Sequence, residues 1–100
     1  MKKIESSTFK QWLAAIKDTK TKARIVGRIT RLMDGFPGDV KPVGRGLSEL
    51  HLHFGAGYRV YYYQDKDVLV VLLNGGDKST QEKDIAKAHA IFEQWRNQYE

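Results

Sequence analysis

Apolar residues first recur at helical spacing after Ser7 and Thr8, where Phe9, Trp12, Leu13 and Ile16 obey the i, i+3, i+4, i+7 rule and share one face. Either hydroxyl can cap this helix, and Thr8 with Gln11 has the spacing of a capping box. A second helical run puts Ile25, Val26, Ile29, Leu32 and Met33 on one face and stops at Gly35. Its other face carries Arg24, Arg28 and Arg31, a stripe that reads either as a solvated surface or as a phosphate-binding one.

The period then changes. Residues 35–39 and 44–46 read as turns, which leaves residues 40–43 as at best a short edge strand, since Pro42 cannot donate to a ladder. From Leu47 onward Leu50, Leu52 and Phe54 alternate with Glu49, His51 and His53, so the two histidines face the same way. Gly55-Ala56-Gly57 turns the chain into a strand over 58–64, and Asp65-Lys66-Asp67 turns it again into 68–73. That last run is apolar on both faces, as a covered central strand requires. Ser79 and Glu82 have capping-box spacing and open a third helix, with Ile85, Ala88, Phe92, Trp95 and Tyr99 on one stripe. Residues 2–6 add a short strand at the sheet edge. The prediction is an α+β fold in a single domain over residues 1–100. It is an antiparallel curved sheet of about four strands, with two N-terminal helices and one C-terminal helix packed mainly on one face.

Charge narrows the partners. Seventeen basic against twelve acidic side chains leave a net charge of +5, which favours an anionic partner without identifying it. There is no cysteine, which removes disulfides, zinc thiolates and thiol nucleophiles and fits a reducing, cytoplasmic setting. No stretch approaches the roughly eighteen apolar residues that span a membrane. Glu5, Ser6 and Ser7 stand where the apolar core of a signal peptide would begin, so secretion is not expected.

The strand over 58–64 holds the candidate chemistry. Period two sends Val60 and Tyr62 into a core, with Tyr58 joining them, and leaves Arg59, Tyr61 and Tyr63 on the opposite face. A guanidinium beside flat rings suits phosphates and bases. Arg59 can instead pair with Glu49 across the sheet, and strand tyrosines are often packing groups. Arg45, between Gly44 and Gly46, is a candidate phosphate contact on a turn, whereas His89 reads as structural or solvent-facing.

Trp12-Leu13, Arg24 to Leu32, Gly38-Asp39, Lys41-Pro42-Val43-Gly44, Leu47-Ser48-Glu49-Leu50, Gly57-Tyr58-Arg59-Val60-Tyr61 and Leu73-Asn74-Gly75-Gly76-Asp77-Lys78 occur in one order. In that order and spacing the chain resembles the RelE/ParE toxin superfamily, and within it the HigB-like, phage-derived addiction-module killer proteins. The resemblance runs from about Phe9 to Ala90 and implies a RelE-like fold. It also implies a type II toxin held inactive by an antitoxin, often a helix-turn-helix protein.

Many such relatives are metal-independent endoribonucleases, mRNA interferases that cut messenger RNA on the ribosome and block translation. ParE relatives inhibit DNA gyrase without an enzymatic step, and a decayed module would only bind its antitoxin. For an RNA-cutting toxin the resemblance implies that Arg59 contacts the scissile phosphate and Lys78 is a basic catalytic or phosphate-binding residue. His51 and His53 fall on basic strand positions suited to proton transfer. Asp77 would orient Lys78 or Arg59, or simply pair with the lysine, and Gly75 and Gly76 would let their turn approach a ligand. Lys41, Arg45, Tyr61 and Tyr63 are the nucleic-acid-binding candidates. The only late tyrosine, Tyr99, belongs to the apolar stripe. No cofactor, metal or membrane contact is implied.

Overall fold

Ser6 caps the first helix, just ahead of the expected Ser7 or Thr8, because the chain reaches it as a strand. In the computed structural model, which describes residues 1–99 without the side chain of Tyr99, β1 (Lys2–Glu5) runs into α1 (Ser7–Ala15). Ser6 is extended; its Oγ accepts from the Phe9 N–H at 2.9 Å and its hydroxyl donates to the Leu73 carbonyl. One side chain thus satisfies an orphan helix donor and ties the helix start to the middle of the sheet. Asp18 caps α2 (Thr19–Met33), and Gly35 at φ 92° lets the chain leave it. The expected place of Tyr99 in the third helix's apolar stripe lies outside the described residues.

After α2 come β2 (Val40–Pro42), β3 (Leu47–His51), β4 (Arg59–Asp65) and β5 (Leu69–Gly76), then a 3₁₀ turn (Lys78–Thr80) and α3 (Gln81–Tyr99). The fold is α+β as predicted, but the sheet has five strands in the order β1-β5-β4-β3-β2. β1 lies parallel to β5, while every other neighbouring pair is antiparallel. Only Ile4 is apolar among the residues of β1, so its pattern carries little information about register or direction.

Helices cover both faces of the sheet, not mainly one. On one side Phe9, Ile25, Ile29 and Leu32 of α1 and α2 pack on Leu50, Leu52, Val60, Tyr62, Val70 and Leu72, with Tyr58 at the margin. On the other, Ala88 and Phe92 of α3 pack on Leu47, Tyr61, Val71 and Leu73. β5 is apolar on both faces because it feeds both cores. A register shift at Tyr61 and Tyr62 leaves Leu73 without a partner in β4, so Leu73 and Asn74 both face α3. Val26 and Val68, expected inside, are 44% and 65% exposed: Val26 rims a shallow groove beside Leu13, Ile29 and Met33, and Val68 sits in the β4–β5 turn. Among the described residues no helix is long and apolar enough to cross a membrane.

The approach to α3 also differs from the Ser79–Glu82 capping box. Asp77 caps the 3₁₀ turn, its carboxylate accepting from the Ser79 N–H at 2.8 Å and the Ser79 hydroxyl at 2.5 Å. Gly75 and Gly76 belong to β5, and neither has a positive φ. A Cβ at Gly75 would strike the Trp12 indole, and one at Gly76 the Asp84 carboxylate, so their smallness admits internal groups and not a ligand. Gly75→Ala should therefore lower the free energy of unfolding by about 1–3 kcal/mol through overpacking. In urea denaturation its cost should shrink in a Trp12→Leu background, because the two side chains compete for one space.

Candidate functional site

Strand register brings the chemistry into two adjacent rows. Lys41, Glu49, Tyr61 and Asn74 face one another across β2, β3, β4 and β5, and His51, Arg59 and Gly76 form the row two residues away. Asp39 continues that second row, since it precedes Val40 and its carbonyl accepts from the His51 N–H at 2.9 Å. The row between them, Val40, Leu50, Val60 and Gly75, belongs to the core beneath α1 and α2. Both polar rows therefore point toward α3.

Glu49 is the centre of the first row and only 1% exposed. Its Oε2 accepts from Gln81 Nε2 at the start of α3 at 3.0 Å, while Oε1 lies 3.7 Å from Lys41 Nζ and 3.8 Å from Arg59 Nε. Arg59, 7% exposed, also donates through Nη1 to the Gly57 carbonyl at 2.8 Å. The ion pair that the sequence left open for Arg59 is thus formed, at ion-pair distance and without a hydrogen bond from the buried Nε.

Lys78 is exposed on the 3₁₀ turn, and its backbone N–H donates to the Ala56 carbonyl at 3.3 Å. A Cβ on Gly57 would stand 3.4 Å from Lys78 Cβ and 3.5 Å from Arg59 Nη1, so the bare glycine lies between the root of the Lys78 side chain and the guanidinium. Asp77 is bound to Ser79, which holds its carboxyl below the ordinary carboxylate range, and no ion pair joins it to Lys78 among the described residues.

The histidines meet at the outer end of the second row. Their ring centroids are 4.0 Å apart, and Asp39 Oδ2 lies 3.5 Å from His51 Nδ1 and 2.5 Å from His53 Nε2. The hydrogen bond with His53 holds the Asp39 carboxyl below its ordinary range. Partial burial, then the Arg59 and His53 charges, lower the His51 pKa, so its ring is neutral near pH 7.

Two of the nucleic-acid candidates fall at the opposite end of the sheet. Tyr63 pairs with Leu47 and packs on Phe92 with ring centroids 4.6 Å apart; Arg45 is exposed in the turn just before Leu47. Tyr61 is fully buried under α3 and cannot stack on a base, because the strand face expected to be open is roofed. Burial, then the Glu49 carboxylate, push its hydroxyl above the ordinary tyrosine range. Lys41 keeps 61% of its side chain exposed at the edge of the row. His89 is structural, its Nε2 donating to the Val43 carbonyl at 2.9 Å. In the basic stripe of α2, Arg24 lies 4.0 Å over the Phe54 ring and Arg28 donates to the Pro37 carbonyl at 2.9 Å, so both hold neighbouring loops.

Asp39 is the site residue that sequence reading passes over as part of a turn. Pairing residues 40–42 with 48–50 about the Gly44-Arg45-Gly46 turn would have set it opposite His51.

Truncating Glu49 strands the buried Arg59 charge, so Glu49→Ala should cost about 3 kcal/mol of unfolding free energy. Urea denaturation checks this, and an Arg59→Leu, Glu49→Leu double variant should recover much of the loss. His51 gives a second expectation. With its folded pKa depressed, the unfolded chain binds more protons below about pH 6.5, so the contribution of His51 falls as pH drops through that value. Thermal melts between pH 7.5 and pH 5 should show a shallower loss of stability for His51→Asn than for the parent.

A family model for "Phage derived protein Gp49-like" matches residues 11–93, a stretch that holds both polar rows and Lys78. An uncharacterized protein of Haemophilus influenzae is 48% identical over 87 residues, covering 87% of this chain and 88% of its own length. The chain belongs to the phage-derived Gp49-like family, a family of the addiction-module toxin type.

Proposed function

We propose that the chain is the toxin of a type II toxin–antitoxin pair and cuts messenger RNA on the ribosome. The observation that carries this reading is the convergence of Arg59, His51, His53 and Lys78 at one end of the sheet, with Gly57 between the root of Lys78 and the guanidinium. Cleavage needs a base for the 2′-hydroxyl, an acid for the 5′ oxygen and cations on the phosphate. Neutral His51 takes the 2′-hydroxyl proton as the 2′ oxygen bonds to phosphorus. The bond from phosphorus to the 5′ oxygen breaks, that oxygen takes a proton from His53, and a 2′,3′-cyclic phosphate remains. Arg59 and Lys78 bear on the non-bridging oxygens, and exposed Lys41 meets the RNA backbone.

A ribosomal target implies a cytoplasmic site of action. The cognate antitoxin, a small helix-turn-helix protein in this reading, silences the toxin by covering the same cationic end. Family membership and the net charge of +5 support both parts.

Mapping RNA 5′ ends in cells expressing the chain without antitoxin tests the reading. New cuts should appear inside translated messages, and His51→Asn or Lys78→Ala should slow their appearance roughly a hundredfold or more, the scale of a lost proton-transfer group for the first and of a lost charge stabiliser for the second. Both variants should keep the parent's fold, because Lys78 is exposed and His51 lies at the rim. Arg59→Ala is a poorer probe than the sequence suggests, since it leaves Glu49 buried without its guanidinium. Unimpaired translation with no new ends would sink the proposal. Gyrase trapped on cleaved DNA, with full toxicity in the His51, His53 double variant, would replace it with the ParE-like reading.

A further inference from the structure

Asp39, His51 and His53 do more than share hydrogen bonds. Each offers one ligand atom, and the three atoms lie within 4.8 Å of one another. Two imidazoles and one carboxylate form a donor set suited to borderline divalent ions such as Zn²⁺, and unsuited to Mg²⁺ or Ca²⁺, which prefer oxygen. Ligand atoms about 2.0–2.1 Å from a tetrahedral ion stand roughly 3.3 Å from one another. His51 Nδ1 and Asp39 Oδ2 are already 3.5 Å apart. His53 Nε2 must retreat from 2.5 Å, and its 62% exposed side chain has room to do so.

The backbone beneath the cluster is anchored from three directions. The Asp39 carbonyl takes the His51 N–H, the Leu52 N–H donates to the Tyr58 carbonyl at 2.9 Å, and Arg28 grips the Pro37 carbonyl at the base of the Asp39 loop. Such anchoring lowers the entropy lost when the three side chains close on an ion.

We infer that Asp39, His51 and His53 form a binding site for a divalent transition-metal ion of the Zn²⁺ class, with solvent completing the coordination. Arg28 and Arg59 bring positive charge close to the site, which holds the affinity below that of a fully compensated zinc centre. An ion held here would occupy the ring nitrogens that the cleavage step uses, so the test reads binding to the protein alone and not activity.

Calorimetric titration of the metal-free protein with Zn²⁺, repeated with Co²⁺ as a spectroscopic probe, tests it. One ion should bind per chain, at least about tenfold more weakly in Asp39→Asn, His51→Asn and His53→Asn, and unchanged in His89→Asn. Melting curves establish that each variant is folded before titration. The absence of saturable one-to-one binding, or binding that survives all three ligand substitutions, would overturn the assignment.

Discussion

A carboxylate sealed beneath a helix governs the working end of this molecule. Glu49 has almost no contact with solvent, so its charge must be compensated by the protein. The compensation comes from three elements at once: Lys41 of β2, Arg59 of β4 and Gln81 at the head of α3. Each is thereby pinned to β3. The guanidinium is drawn inward, the first turn of α3 is fixed over the sheet, and the edge strand is held in register beside it.

The remaining polar groups of the face follow from that arrangement. Asn74 donates to the Asp84 carbonyl, and Thr80 donates to the Asp84 carboxylate at 2.5 Å, so the underside of the α3 start is a hydrogen-bonded layer and not an apolar one. Gly76 leaves the space that the Asp84 carboxylate occupies. At the other end of the same face Leu47, Tyr61, Val71, Leu73, Ala88 and Phe92 make an ordinary core. One sheet face is thus apolar where it stabilises and polar where His51, Arg59 and Lys78 gather.

Local pattern carried much of this. The helix positions, the common side of His51 and His53, and the sharing of a face by Arg59 and Tyr61 all follow from periods of 3.6 and two. What lies above a strand face does not. Alternation groups Arg59 with Tyr61 but is silent on whether α3 covers them, since an amphipathic helix can dock on either side of a sheet. The caps show the same limit: Ser6, Ser7 and Thr8 are equivalent by residue type, and the choice of Ser6 depends on the pairing of β1 with β5. Asp39 was hidden because its partners are cross-strand and not sequential.

That first strand has a consequence in time. β1 pairs with β5, so the N-terminal residues wait for residues 69–72 before they gain a neighbour, and Ser6 cannot bond Leu73 until then. Closing so long a loop is slow relative to forming the helices and hairpins within it, and non-local pairing of this kind delays folding. During synthesis the hairpin bearing His51 and Arg59 emerges before α3, the helix that covers it. The nascent chain therefore carries the polar rows uncovered until α3 has followed the sheet.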